Sequence, residues 1–218
     1  MRDSQIHQVM AILADAVKGW ATPAVTIVAT QDHDPFKVLI SCILSLRTRD
    51  QTTAEASRRL FGLADTPEKL SRLSVAQIEQ AIYPVGFYRV KALQILEISR
   101  QLSESHAGRV PSELEDLLKF KGVGRKTANL VLTLGFGKAG ICVDIHVHRI
   151  CNRLGYLQTR TPEQTEIALR KKLPPEYWII INDLLVCFGQ NQCTPVSPRC
   201  SSCPLQQLCD RVGVVKSR

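Results

Sequence analysis

An all-helical fold is predicted for this chain on three observations. Apolar residues recur at three- and four-residue spacing, helix-start signatures punctuate them, and alternating strand patterns are scarce.

The elements follow in order. Ile6, Val9, Met10, Leu13 and Val17 share one helical face, and Gly19 is a stop. Asp34-Pro35 starts the next helix: the aspartate can cap orphan amides, and proline fits the first turn, where no amide donor is needed. Residues 36–46 are apolar on nearly every face, which belongs in the middle of a bundle. Asp50 is the expected cap of a helix ending near Gly62. Thr66-Pro67, and Ser74 with Gln77 three residues on, mark two further starts. Gly86 separates these from a long helix over residues 88–106. Ser112 with Glu115 predicts another capping box, Thr161-Pro162 with Gln164 another, and Pro174-Pro175 precedes the last long helix. No composition shift or low-complexity linker marks a domain boundary.

The bulk properties exclude some classes. No apolar stretch is long enough to span a bilayer, and the start lacks a signal-peptide layout, so a cytoplasmic location is expected. Thiols stay reduced there, and the eight cysteines are not expected to form a disulfide framework. A net charge of +8 over 218 residues suits an anionic partner, nucleic acid foremost. Charge alone does not separate that reading from a basic protein with no such partner.

From Gln190 onward the chain is rich in Cys, Pro and Ser and too poor in large apolar groups to fold unaided. Cys193, Cys200, Cys203 and Cys209 lie there in the spacing C-x6-C-x2-C-x5-C. Four soft thiolates on a short loop suit zinc or an iron–sulfur cluster, and their binding energy can replace the missing core. Spacing alone leaves the two open. Cys42, Cys142, Cys151 and Cys187 sit in apolar helical contexts and are expected in the core.

The most informative segment runs from Leu117 to Asn129. A helix leads into Gly122-Val123-Gly124, and a second apolar helix opens at once with Arg125 and Lys126. Two glycines around one residue let the backbone turn tightly and approach a ligand, and amides at a helix start can grip a phosphate. Such a grip carries no base-sequence information. A plain helix–helix corner would need only the glycines; two cations opposing a helix dipole need another reason. Eighteen residues beyond Lys126 stands Asp144, in Val143-Asp144-Ile145-His146. It stands where a helix would begin and reads first as an N-cap, aspartate being among the best; the alternative is a carboxylate held near Lys126, and the two roles are compatible.

With this hairpin, the Asp144 segment and the four cysteines together, the chain resembles the endonuclease III family of helix-hairpin-helix DNA glycosylases, from about Asp34 to Cys209. The resemblance implies two all-helical domains: a six-helix barrel-like domain over residues 24–136, and a four-helix iron–sulfur domain from residues 1–23 and 137–218. It implies a DNA groove between them, a four-iron four-sulfur cluster on Cys193, Cys200, Cys203 and Cys209, and a monomer acting on damaged double-stranded DNA. A prokaryotic member would be associated with the nucleoid. The implied activity is removal of damaged pyrimidines followed by strand cleavage. Lys126 would attack C1′ and form a Schiff base, and Asp144 would assist proton transfer and stabilise charge on the sugar. Gly122, Val123, Gly124 and Arg125 would bind the DNA backbone, and His146 would face DNA.

The chain departs from the family at one position. Many members carry a glutamine after the central helix that fills the gap left by a flipped base; here Arg47 matches it, and arginine prefers an orphaned guanine. Phe87 matches the second inserting loop, where an aromatic ring can wedge into the stack. Two alternatives are a monofunctional thymine-mismatch glycosylase and a DNA-binding iron–sulfur protein without catalysis. Lys126 speaks against the first, and the pair Lys126 and Asp144 against the second. Adenine-removing relatives carry a catalytic glutamate where this chain has Cys42.

Overall fold

A computed structural model describes residues 1–218, apart from the side chain at position 32. Twelve α-helices are present among the described residues, and no strand. They are α1 (Ile6–Ala16), α2 (Ala24–Asp32), α3 (Pro35–Ser45), α4 (Asp50–Leu63), α5 (Pro67–Ser71), α6 (Val75–Ile82), α7 (Tyr88–Ser105), α8 (Leu114–Leu117), α9 (Arg125–Leu130), α10 (Ile145–Arg153), α11 (Pro162–Lys172) and α12 (Ile181–Asn191). A π-helical turn, Val131–Gly135, continues α9. Among the described residues, no helix is long and apolar enough to cross a membrane.

Several starts form for the local reasons expected. The Asp34 carboxylate accepts the Phe36 amide at 2.8 Å, Thr66 accepts from Lys69, Thr161 accepts from Gln164, and Ser74 with Gln77 closes a reciprocal box. Two expected caps are corrected. Asp50 is the first residue of α4 rather than its cap; extended Arg49 occupies the junction, and the aspartate faces the helix dipole from inside the first turn. Ser112 and Glu115 form no capping box. The short α8 begins after Glu113, and the Ser112 hydroxyl and carbonyl oxygens accept Lys138 Nζ at 3.0 and 2.6 Å. A tertiary lysine has taken the oxygens that the local motif would have used.

The chain forms two compact units, Ala24–Gly140 and Met1–Pro23 with Ile141–Arg218. In the first, α3 is central, packed against α2, α4, α7, α9 and the π-helical turn. Phe36 and residues 38–44 are all buried, as a helix apolar on every face requires. In the second, α1 lays Ile6, Val9, Met10 and Leu13 into a core shared with α10 and α12. Cys42, Cys142, Cys151 and Cys187 are buried, the first in one core and the other three in the other unit.

Candidate active site and cluster loop

The hairpin turn belongs to the Ala24–Gly140 unit. Gly122 has φ +80°, and a Cβ there would sit 2.4 Å from Gln94 Nε2, which donates to Lys121 O at 2.9 Å. The left-handed backbone therefore demands glycine at 122, while the amide end of Gln94 could swing aside for a side chain. Gly124 is different. Its backbone is extended, and a Cβ would meet nothing within 4 Å. The fold does not need a glycine there, so the bare backbone is left for something that approaches it. Val123 is buried and its amide closes the turn on Phe120 O at 3.0 Å, so it holds the hairpin together from within. Arg125 and Lys126 open α9, both exposed. Beneath Lys126 lies Cys42 of α3, whose thiol burial pushes up to about 12 while the lysine charge pulls the other way. A neutral thiol is thus what the central helix offers at this position.

Two other loops of this unit present Arg47 and Phe87. Both residues have positive φ, 52° and 59°, both are exposed, and the Arg47 guanidinium lies 5.6 Å from the centre of the Phe87 ring. Phe87 is 60% exposed, against the usual burial of phenylalanine, so it is no core residue.

Asp144 belongs to the other unit. It is 7% exposed, and one carboxylate oxygen accepts the His146 and Val147 amides at 2.7 and 2.9 Å, capping α10. The cap is therefore real, and it holds the carboxylate in one orientation. His146 is half-buried, with Nδ1 3.0 Å from Arg149 Nη2; arginine only donates, so Nδ1 accepts. His148 bonds to Thr165 at 2.7 Å. Further along α10, Arg149 donates to Cys193 O at 2.8 Å and to Gly189 O at 3.1 Å. Arg153 donates to Thr194 O at 2.7 Å and to Cys193 Sγ at 3.4 Å. These two arginines, unflagged by any sequence motif, lace the helix of Asp144 to the cysteine loop.

Cys193, Cys200, Cys203 and Cys209 line one pocket and form no disulfide. Partial burial and neighbouring thiolates push Cys203 up to about 11 and raise Cys209 as well. Thiols that share one pocket become thiolates only when positive charge sits among them. The remaining lining mixes apolar side chains, among them Ile150, Leu154, Phe188 and Leu205, with the cations Arg153, Arg199 and Arg211. This donor set fits an iron–sulfur cluster, which would be held by these four cysteines and would supply the binding energy that the tail lacks.

Residues 40–175 match the HhH-GPD superfamily of base excision DNA repair proteins, and residues 193–209 match the iron–sulfur binding domain of endonuclease III. The chain is 51% identical to endonuclease III of Thermotoga maritima over 180 residues, 83% of this chain and 84% of that protein. The chain belongs to the endonuclease III family. It is accordingly a base-excision-repair enzyme acting on DNA, a glycosylase and abasic-site lyase, with a four-iron four-sulfur cluster. It is also 45% identical to endonuclease III homolog 1 of Arabidopsis thaliana, a longer protein of which it covers 48%. Among solved structures it resembles a trapped endonuclease III–DNA covalent intermediate, with a TM-score of 0.85, 32% identity and 97% of each chain covered.

Arg47, Phe87, Gly122, Gly124, Lys126 and His146 thus each have a defined local setting. Lys91 and Gln94, which support these loops from α7, were missed by sequence reasoning. Lys91 did carry a signal: it falls on the same helical stripe as Ile95, Ile98 and Leu102, where a lysine has no business unless its charge is used inside.

Proposed function

We propose that this enzyme removes damaged pyrimidines from duplex DNA with Lys126 as nucleophile and Asp144 as assisting carboxylate. The Lys126 amine attacks C1′ and the glycosidic bond breaks, the base leaving with a proton. The sugar ring opens to a Schiff base, a proton leaves C2′, and the C3′–O bond breaks on the 3′ side of the lesion. Asp144 accepts protons in this sequence and offsets positive charge developing on the sugar. Gly122, Val123, Gly124 and Arg125 bind the DNA backbone through the main chain of the hairpin and a guanidinium. Arg47 and Phe87 enter the stack where the damaged nucleotide leaves it, with Arg47 favouring an orphaned guanine, and His146 faces the DNA. The chain acts as a monomer in the cytoplasm, and each compact unit serves as a domain.

The observation that carries this reading is the exposed Lys126 in the first turn of α9, two residues after Gly124, a glycine that the fold itself does not require. Borohydride reduction during turnover on duplex DNA with an oxidised pyrimidine should link protein and DNA covalently. K126Q should still bind that DNA while losing both the trapped adduct and strand cleavage. Trapping at undiminished yield by K126Q would move the nucleophile elsewhere.

A further inference from the structure

Lys91 is 5% exposed, yet it carries a charge into the interior of the Ala24–Gly140 unit. Its ammonium donates to Leu44 O at 2.8 Å, to Leu46 O, and to Thr48 Oγ1 at 3.2 Å. Three donors meet three acceptors, the first beside the last turn of α3 and the others flanking Arg47. A cation at a helix C-terminus also faces the favourable end of the dipole. The same residue reaches the second loop through its backbone, since its amide donates to Phe87 O at 3.0 Å. Thr48 closes the circuit: its hydroxyl donates to Leu46 O and accepts the Gly86 amide, each at 3.2 Å. Gly86 itself has no room for a side chain, because a Cβ would lie 2.5 Å from Arg47 O.

Arg47 and Phe87 are both held at positive φ, which costs a non-glycine residue about 1 kcal/mol or more and persists only when the surroundings over-determine it. The surroundings here are Lys91, Thr48 and Gly86. Burial pushes the Lys91 ammonium down to about 8, because withdrawal from water penalises the charged form, and the three oxygens around it offset that penalty only in part.

We infer that Lys91 is a positioning residue that locks the Arg47 loop and the Phe87 loop into a single wedge, so that both side chains enter the DNA stack as one rigid body. The inference rests on the reading of Arg47 and Phe87 as the stack-entering pair. Without the lock the two loops would be free to move separately. Excision that requires a nucleotide to leave the duplex would slow, whereas elimination at an abasic site in single-stranded DNA has no stack to open.

The test compares two reactions in single turnover: base excision on duplex DNA with an oxidised pyrimidine, and elimination on single-stranded abasic DNA. The variants are K91M, which keeps the stem and loses the donors, and T48V, which keeps the shape and loses the hydroxyl. For K91M the ratio of duplex excision to single-strand elimination should fall about tenfold or more, as misplacement of catalytic geometry does elsewhere, and for T48V by a smaller factor. The fluorescence of a 2-aminopurine beside the lesion should rise less on binding for both variants than for the parent enzyme. R47A and F87A serve as references and should depress the same ratio. Unchanged ratios for K91M and T48V beside depressed ratios for R47A and F87A would overturn the lock and leave the wedge standing. Equal losses in both reactions with a lower Tm would make Lys91 a general stabiliser and also overturn it. Unchanged ratios for R47A and F87A would remove the wedge reading itself, and the lock with it. If K91M does not fold, T48V decides alone.

Discussion

At the start of α9 an exposed lysine stands in the first helical turn, where the dipole opposes its charge. At the start of α10 a buried aspartate receives two amides of the first turn, where the dipole favours it. Lys126 works against its helix, and Asp144 works for its helix. The supports differ in the same sense. The α9 turn rests on an apolar helix, α3, with Gln94 bonding the hairpin from α7. The α10 helix also buries Val147, Ile150 and Cys151 in an apolar core, but it is tied besides by Arg149 and Arg153 to a cysteine loop with little apolar core of its own. A residue placed against local stability advertises function. A residue placed in favour of it can carry function unnoticed, because its structural role already accounts for it.

The largest effect that would sharpen this contrast concerns the cluster loop. C209S should lose iron and visible absorption and should lower Tm far more than C187S, because of the two only Cys209 is proposed as a ligand. Amide exchange should accelerate in α10, through its arginine ties, and stay slow in α3. Equal destabilisation by C209S and C187S, with iron content unchanged, would remove the loop as the support of α10.

Next comes the double role of Asp144. Asparagine caps nearly as well as aspartate, so D144N should fold normally yet turn over about a hundredfold more slowly. D144A should lose the same activity and about 1 kcal/mol of stability besides. Near-normal rates in D144N would make Asp144 a cap and nothing more.

The smallest effect is on the stability of K126Q. Removing a cation from a helix start should leave stability unchanged or raise it by roughly 0.3–1 kcal/mol, read from urea midpoints. A loss as large as that of D144A would show Lys126 to be structural, and the contrast between the two helix starts would fail.

Much of the molecule was legible because its signals are local. The caps at Asp34, Thr66, Ser74 and Thr161, the all-round apolar run of α3 and the cysteine spacing each depend on neighbours a few residues away. Ser112 and Asp50 misled for the complementary reason. A lysine 26 residues distant claimed the Ser112 oxygens, and extended Arg49 took the junction expected of Asp50. Arg149 and Arg153 were invisible, since what defines them is the carbonyl and sulfur they reach some 40 residues on.

By itself, then, the order of residues determined a helical chain, its principal helix starts, a metal-binding tail and a glycine hairpin followed by lysine. Backbone propensity, capping and thiolate chemistry all act over a few residues, so they can be read in one dimension. Only the tertiary structure decided that Gly122 is required by its left-handed backbone and Gly124 is not, and that Phe87 is exposed rather than buried. It also brought the ammonium of Lys91 to three oxygens more than forty residues away. A buried charge takes its meaning from the acceptors that surround it, and those come from parts of the chain that meet only when the helices pack.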